Sequence, residues 1–93
     1  MATVVDGAFE WDSEKAATNV AKHGVELGEA KSALADAGAV EFADALRPDR
    51  ILTIGFSARE RVLFVVTTEA GDRTRIISAR RATPAERRLY EEG

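Results

Sequence analysis

Residues 73–92 read RTRIISARRATPAERRLYEE and predict a β-strand that runs directly into an α-helix. Threonine and isoleucine favour strands, and residues 74–79 contain both. Thr83 can cap the helix with its hydroxyl, and Pro84 suits the first helical position. Glu86 stands where a capping box places its acid. The C-terminal part of the chain is therefore predicted to be a strand followed directly by a helix.

Arginine is concentrated in the same unit. Guanidinium groups fall on the strand, the junction and the helix, at Arg73, Arg75, Arg80, Arg81, Arg87 and Arg88. A guanidinium presents a planar fork of donors that matches phosphate oxygens, and a helix N-terminus attracts anions. The stretch therefore predicts an anion-binding site, although arginines on helix faces and strand edges are also typical of a solvated surface.

The composition favours one globular domain over residues 1–93, because 45% of the residues are hydrophobic. No apolar run approaches the roughly 20 residues of a membrane helix, and the N-terminus lacks a signal-peptide pattern. The absence of cysteine excludes disulfides and fits a reducing cytoplasm. Since His23 is the single histidine, a multi-histidine zinc site within one chain is excluded.

Charge is distributed unevenly along the chain, whose net charge is −3. Residues 1–46 carry three lysines and nine acids, whereas residues 47–93 carry ten arginines and seven acids. This asymmetry favours an anionic partner for the second half. The alternative is that the two halves pair with each other in the fold.

The first part of the chain predicts two helices. Residues 1–7 are expected to form a loose arm. Asp12 is a good cap for a helix over residues 13–23, and Gly24 is a natural left-handed stop. A second helix is expected over residues 27–36. The apolar stripe of the first helix is expected to comprise Ala16, Ala17, Val20 and Ala21.

Strands are expected in the remainder, over residues 39–43, 51–56, 61–68 and 74–79. Short turns between them favour antiparallel hairpins. Phe9 and Trp11 alternate in a short extended piece and are expected to face the core. The predicted fold is therefore α+β: a four-stranded antiparallel meander with two N-terminal helices and one C-terminal helix.

Several blocks of sequence occur together and in a fixed order. They are Phe9-Glu10-Trp11-Asp12, Lys15, Asn19, Lys22-His23-Gly24-Val25, Ile54-Gly55, residues 61–66, Thr68-Glu69, residues 75–83, Glu86-Arg87 and Tyr90-Glu91. In this combination, the chain resembles the BrnT toxin family over about residues 8–92. At residues 26–28, Glu-Leu-Gly departs from the Ser-Phe-Glu type of pattern associated with that family.

The resemblance implies the toxin of a bacterial type II toxin–antitoxin pair. It implies a ribonuclease that cleaves RNA without a metal or other cofactor, on a compact fold like that of RelE-type toxins. It also implies a BrnA-type antitoxin as partner, which carries a DNA-binding domain, binds operator DNA and represses the operon.

Metal-free RNA cleavage needs a base for the 2′-hydroxyl, positive charge around the phosphorane, and an acid for the leaving oxygen. The catalytic candidates are Lys22, His23, Arg61, Arg80 and Arg81. The candidates for binding the RNA backbone are Arg59, Arg75, Arg87 and Arg88. Besides the histidine, proton transfer is assigned to Glu60, Glu86 or Tyr90. The sequence does not identify the base.

Purely structural roles are the alternative to these catalytic and RNA-binding assignments. Lys22 and His23 also suit the negative end of a helix dipole, Glu86 a capping box, and Tyr90 the core. A non-catalytic module that binds RNA or protein through its arginine face is the alternative function, and a purely structural protein is a third. The arginine face is also a candidate for an acidic antitoxin segment that mimics RNA.

Overall fold

The computed structural model describes residues 2–93. Its elements, in chain order, are β1 (Thr3–Asp6), β2 (Phe9–Asp12), α1 (Ser13–His23), α2 (Leu27–Leu34), β3 (Val40–Ala43), β4 (Arg50–Phe56), β5 (Val62–Ala70), β6 (Arg73–Arg81) and α3 (Pro84–Glu92). The strand that runs into a helix at the end of the chain is present as β6 and α3. Thr83 and Glu86 form the predicted capping box, with Pro84 in the first turn.

The sheet differs from the predicted meander. It has six strands in the order β1-β2-β6-β5-β4-β3, and β2 pairs with β6 in parallel. The fold remains α+β, but the four-stranded antiparallel sheet was wrong, and two strands precede the helices that were expected to come first. The parallel pairing joins Phe9 to Thr74 and Glu10 to Arg75. Because the paired segments are far apart in sequence, no local sequence pattern predicts that they pair.

The other added strand is β1. It lies in the stretch predicted as a loose arm, of which Met1 is outside the described residues. Thr3–Asp6 pairs antiparallel with β2, and Val4 lies opposite Trp11. All four β1 residues are exposed. Because neither face is buried, the usual alternation of polar and apolar residues is absent. The strand is held by backbone hydrogen bonds to β2 and by the ion pair of Asp6 with Lys31.

Helices α1 and α2 pack on one face of the sheet and enclose the core. The buried apolar side chains there are Trp11, Val25, Leu27, Ala30, Ala33, Leu63, Val65, Ile76 and Ala79. Phe9 packs against the same cluster, so the core roles predicted for Phe9 and Trp11 are confirmed. Helix α1 begins after its Asp12 cap and ends at left-handed Gly24, as predicted.

Small residues set the spacing between α2 and β4. A Cβ atom added to Gly55 would stand 2.2 Å from the carbonyl oxygen of Ala33. Since no real Cβ approaches a backbone atom so closely, only glycine permits this contact. The helix therefore lies closer to the sheet here than any side chain at position 55 would allow.

Helix α3 lies on the opposite face. Strand alternation places Phe64 and Arg80, which are register partners, on the face opposite Leu63 and Val65. Tyr90 ties the far end of α3 to the segment after α2, where its hydroxyl donates to Asp36 at 2.6 Å. Within residues 2–93, no helix is long and apolar enough to cross a bilayer.

Candidate active site

Arg61 is held by a buried carboxylate. Its Nε donates to Glu29 at 2.9 Å, a terminal nitrogen pairs with the second Glu29 oxygen, and the same nitrogen reaches the carbonyl of Gly24 at 3.2 Å. Ser57 donates to Glu29 at 2.7 Å. The hydrogen bonds from Arg61 hold the pKa of the Glu29 carboxyl below its usual range. Arg61, predicted as catalytic, therefore has its charge balanced inside the protein.

Arg80 is held in the same manner on the other face. Both of its terminal nitrogens donate to Glu86, each at 2.8 Å, and its guanidinium stacks over Phe64 at 4.3 Å from the ring centre. This pairing holds the pKa of the Glu86 carboxyl below its usual range. The two side chains clamp α3 onto the sheet, so Glu86 has the structural role that its capping box indicated.

Tyr90 is likewise engaged. Its hydrogen bond to Asp36 raises the pKa of the Tyr90 phenol. The same carboxylate accepts the backbone N–H groups of Phe56 and Gly38, at 2.8 and 3.0 Å. Tyr90 therefore anchors the end of α3 to the rest of the chain.

A cavity of about 160 Å³ opens where β4 ends, β5 begins and β6 ends. We call it the arginine cavity, and its lining residues are Phe56, Glu60, Arg61, Val62, Arg81, Ala82 and Arg87. Arg81 and Arg87 form no ion pair with any residue from 2 to 93. Glu60 supplies the one carboxylate of this lining. Two unbalanced guanidinium groups and one carboxylate thus face the same small space.

The backbone of Glu60 is strained. Its φ of 60° lies in the left-handed region, and no other non-glycine residue among residues 2–93 has a positive φ. Such conformations are uncommon for side chains other than asparagine, aspartate and histidine, and they persist where the surroundings impose them. The turn is imposed by backbone hydrogen bonds from Ser57 to Arg61 and from Glu60 to Ser57.

Lys22 and His23 lie elsewhere, in a second concavity of about 200 Å³ between α1 and β6. We call it the cationic groove, and its lining residues are Lys15, Thr18, Asn19, Lys22, His23, Ile77 and Ser78. No carboxylate belongs to this lining. The structure thus divides the predicted catalytic residues between a cavity, a groove and the clamp of Arg80.

Asn19 joins the groove to the end of β6. Its amide nitrogen donates to the carbonyls of Ala79 and Val25, at 2.8 and 2.7 Å, and its oxygen accepts the N–H of Ala79 at 3.1 Å. Asn19 is the buried residue of α1, whereas Val20, from the stripe expected to be apolar and buried, is 43% exposed. No local pattern distinguishes this asparagine from an exposed polar residue, and Glu29 was missed for the same reason.

The predicted RNA-binding arginines are dispersed. Arg75 pairs with Glu10 of β2. Arg59 and Arg88 are exposed, and only Arg87 reaches the arginine cavity. Strand alternation separates Arg80 from Arg81. The six arginines of the C-terminal unit therefore do not form one cluster.

Ion pairs also connect the two oppositely charged halves of the chain. Glu29 with Arg61 and Glu10 with Arg75 join an acid of the first half to an arginine of the second. The pairing of the halves, considered above as the alternative to an anionic partner, accounts for part of the charge asymmetry. Across residues 2–93, no group of three or more potential metal-ligating His, Asp or Glu side chains comes together.

Comparisons with known proteins agree with the resemblance inferred from the sequence. Residues 11–86 match the family model described as "Ribonuclease toxin, BrnT, of type II toxin-antitoxin system". The crystal structure of the Brucella abortus ribonuclease toxin BrnT superposes with a TM-score of 0.65 at 29% identity, over 78% of this chain and 92% of that chain. No curated protein sequence matches the chain. Because the family model spans most of its length, the chain belongs to the BrnT family of ribonuclease toxins of type II toxin–antitoxin systems.

Proposed function

We propose that this protein is an endoribonuclease that cleaves RNA in the arginine cavity without a metal ion, and that a BrnA-type antitoxin neutralises it. Membership of the family supports a ribonuclease toxin with RNA as substrate and an antitoxin as partner. The observation that carries the site is that Arg81 and Arg87, which have no ion-pair partner among residues 2–93, line the same cavity as Glu60.

The chemistry assigns one task to each group. Glu60 accepts the proton of the 2′-hydroxyl as that oxygen bonds to phosphorus. Arg81 and Arg87 donate hydrogen bonds to the phosphorane oxygens, where negative charge accumulates. The bond from phosphorus to the 5′-oxygen then breaks, and water at the mouth of the cavity protonates that oxygen. The guanidinium groups supply the positive charge that a metal ion supplies in other nucleases.

Arg61 also lines the cavity, but its charge is already paired with Glu29, so its proposed role is to position the site. Its pairing with Glu29 fixes the residue next to Glu60, and its hydrogen bond to Gly24 ties the end of α1 to the start of β5. Arg80 supports it by clamping α3, which carries Arg87. Both are positioning residues in this proposal.

Cleavage of end-labelled RNA by purified protein in excess chelator tests the site. We expect cleavage to persist in chelator and to fall about 100-fold in Glu60→Gln, the lower end of the range for general base catalysis. A similar loss of about 100-fold is expected for Arg81→Ala, as for removal of one donor from an oxyanion site. Arg88→Ala, next to Arg87 but absent from the cavity lining, is the matched control.

Three results would count against the proposal. Loss of activity in chelator, restored by a divalent cation, would refute metal independence. Unchanged cleavage in Glu60→Gln and Arg81→Ala would refute the site. Tight RNA binding without cleavage by the wild-type protein would favour the non-catalytic binding module instead.

The antitoxin is proposed to cover the same cavity. An acidic segment laid over Arg81 and Arg87 would pair with their free charges and exclude RNA. A BrnA-type partner would add a DNA-binding domain through which the complex represses its operon. The double variant Arg81→Glu/Arg87→Glu should lose both RNA cleavage and antitoxin affinity. If antitoxin affinity is unaltered, the two partners do not share this surface.

A further inference from the structure

We infer that the cationic groove is a second RNA subsite, which holds the nucleotide adjacent to the one cleaved in the arginine cavity. The inference rests on the proposed function, because it treats RNA as the ligand. It gives a function to Lys22 and His23, which do not line the arginine cavity and so have no role in the proposed cleavage site.

The charge of the groove is the first support. Lys15, Lys22 and His23 are spaced by seven and eight residues and so lie on one face of α1. All three are exposed, and none forms an ion pair with the part of the chain that the structure describes. In a protein of net charge −3, a concavity lined by two lysines and no carboxylate is suited to an anion.

The floor of the groove is the second support. The register of β5 and β6 shifts at Ile77: Val66 faces Ser78 and Thr67 faces Ile76, which leaves Ile77 as the extra residue of a bulge. A bulge redirects its side chain, and here Ile77 lines the groove beside Ser78. An apolar surface next to a hydroxyl and two ammonium groups suits a nucleotide, whose base packs on the first and whose phosphate binds the others.

The position of the groove is the third support. Ser78 of the groove and Arg81 of the cavity lie three residues apart on β6, roughly 10 Å at the rise of a strand. Asn19 holds α1 against Ala79 between them, and Arg61 holds the end of α1 at Gly24. Both concavities therefore adjoin the C-terminal end of β6. Because strand alternation turns Ser78 and Arg81 to opposite faces, the bound RNA would pass around the edge of β6 between them.

The affinity of non-cleavable RNA as a function of length and salt tests the inference. The probes are fluorescent 2′-O-methyl oligonucleotides of mixed sequence, as dinucleotide and octanucleotide, read by anisotropy. The variant is Lys15→Ala/Lys22→Ala. Lys31→Ala is the matched control, because Lys31 is a helical lysine that pairs with Asp6 and is absent from the groove lining.

Each lost phosphate contact lowers the slope of log affinity against log salt by about 0.7 for single strands, which corresponds to roughly fivefold in affinity at 0.1 M salt. The double variant should therefore bind the octanucleotide about 25-fold more weakly, with a slope reduced by about 1.4, while dinucleotide binding changes little. Affinities of both probes equal to those of Lys31→Ala would overturn the inference, as would an equal loss for both lengths.

Failure of this inference can be told apart from failure of the proposed active site. Arg81→Ala reports on the cavity through the rate of cleavage, whereas the lysine variant reports on the groove through length-dependent binding. A thermal melt of each variant checks the fold. If the alanine variant is unfolded, Lys15→Gln/Lys22→Gln, which keeps the side chains polar and extended, repeats the measurement.

Discussion

The side-chain amide of Asn19 makes with the backbone of Ala79 the two hydrogen bonds that a neighbouring strand would make. Among the residues that the structure describes, β2 pairs with β6 only at Thr74 and Arg75, and no strand lies beside the edge of β6 beyond them. Asn19, which lies on α1, forms the hydrogen bonds that a strand would otherwise form at this edge. Its side-chain amide also donates to the carbonyl of Val25. One buried side chain thus fixes where α1 ends relative to β6, and with it the cationic groove.

We expect Asn19→Ala to lower the free energy of unfolding by about 3 kcal/mol or more, because three buried backbone groups lose their partner at about 1–3 kcal/mol each. Urea unfolding measures the loss. Thr18→Ala, which removes one exposed hydrogen bond to the carbonyl of Glu14, is the control and should change stability by less than about 1 kcal/mol. Equal effects of the two substitutions would contradict the role given to Asn19.

The buried pair of Glu29 and Arg61 should behave as one unit. Arg61→Met leaves the Glu29 carboxylate, whose side chain is 3% exposed, without its counter-ion, and we expect a loss of about 3–5 kcal/mol. Glu29→Met/Arg61→Met should be less damaging than the sum of the single changes, with a coupling of about 2 kcal/mol. A double-mutant cycle by urea unfolding measures the coupling, and additive single effects would contradict it.

The contact between α2 and β4 predicts opposite outcomes for two glycines. Gly55→Ala should destabilise by about 3 kcal/mol, because its Cβ collides with the backbone of Ala33. Gly28→Ala, in α2 with open space around the new methyl group, should stabilise by up to about 1 kcal/mol through helix propensity. Thermal unfolding of both variants checks the pair, and a tolerated Gly55→Ala would refute the close approach.

The strained turn predicts a conflict between stability and activity. Glu60→Gly should raise the free energy of unfolding by about 1 kcal/mol, because glycine adopts a φ of 60° without steric cost. The same change removes the proposed base and should lower RNA cleavage at least as much as Glu60→Gln. A stabilised variant with full activity would show that Glu60 is not the base.

Acid should weaken the clamp of α3. The pKa of Glu86 is held below its ordinary value of 4.5 by Arg80. A carboxyl whose folded pKa is lowered contributes stability above the ordinary value and loses it as pH falls through the folded pKa. Glu86→Gln should therefore be less stable than wild type at neutral pH and converge with it as pH falls below 4.5. Glu91→Gln, on the exposed side of α3, is the control and should follow wild type throughout.

Local sequence was sufficient for the elements with chemical markers at their ends. The capping box of Thr83 and Glu86 and the Asp12 and Gly24 boundaries of α1 appear as predicted, because each depends on residues within one turn of the chain. The blocks that indicated the family are also local. The exposed strand β1 and the parallel pairing of β2 left no such markers, and both were missed.

The ion-pair partners of the candidate site residues could not be predicted from the sequence, because each partner lies on a different element of the fold. Arg61, Arg75 and Arg80 look alike in sequence to Arg81 and Arg87. Only the folded chain pairs the first three with a carboxylate and leaves the last two without a carboxylate partner in the described part of the chain. Strand alternation then turns Arg80 and Arg81 to opposite faces.

The sequence by itself determined the family, both boundaries of α1, the start of α3 and the supply of guanidinium groups, since these depend on residue types at fixed spacings. The end of α2 was predicted at residue 36 and lies at Leu34. Tertiary structure alone decided which cationic side chains are paired with a carboxylate. An ion pair requires the two groups to lie within a few ångströms, and the number of residues between them in the sequence does not determine their distance in space. Tertiary structure also decided that Lys22 and His23 face a groove apart from the arginine cavity, because Asn19 docks α1 on the free edge of β6.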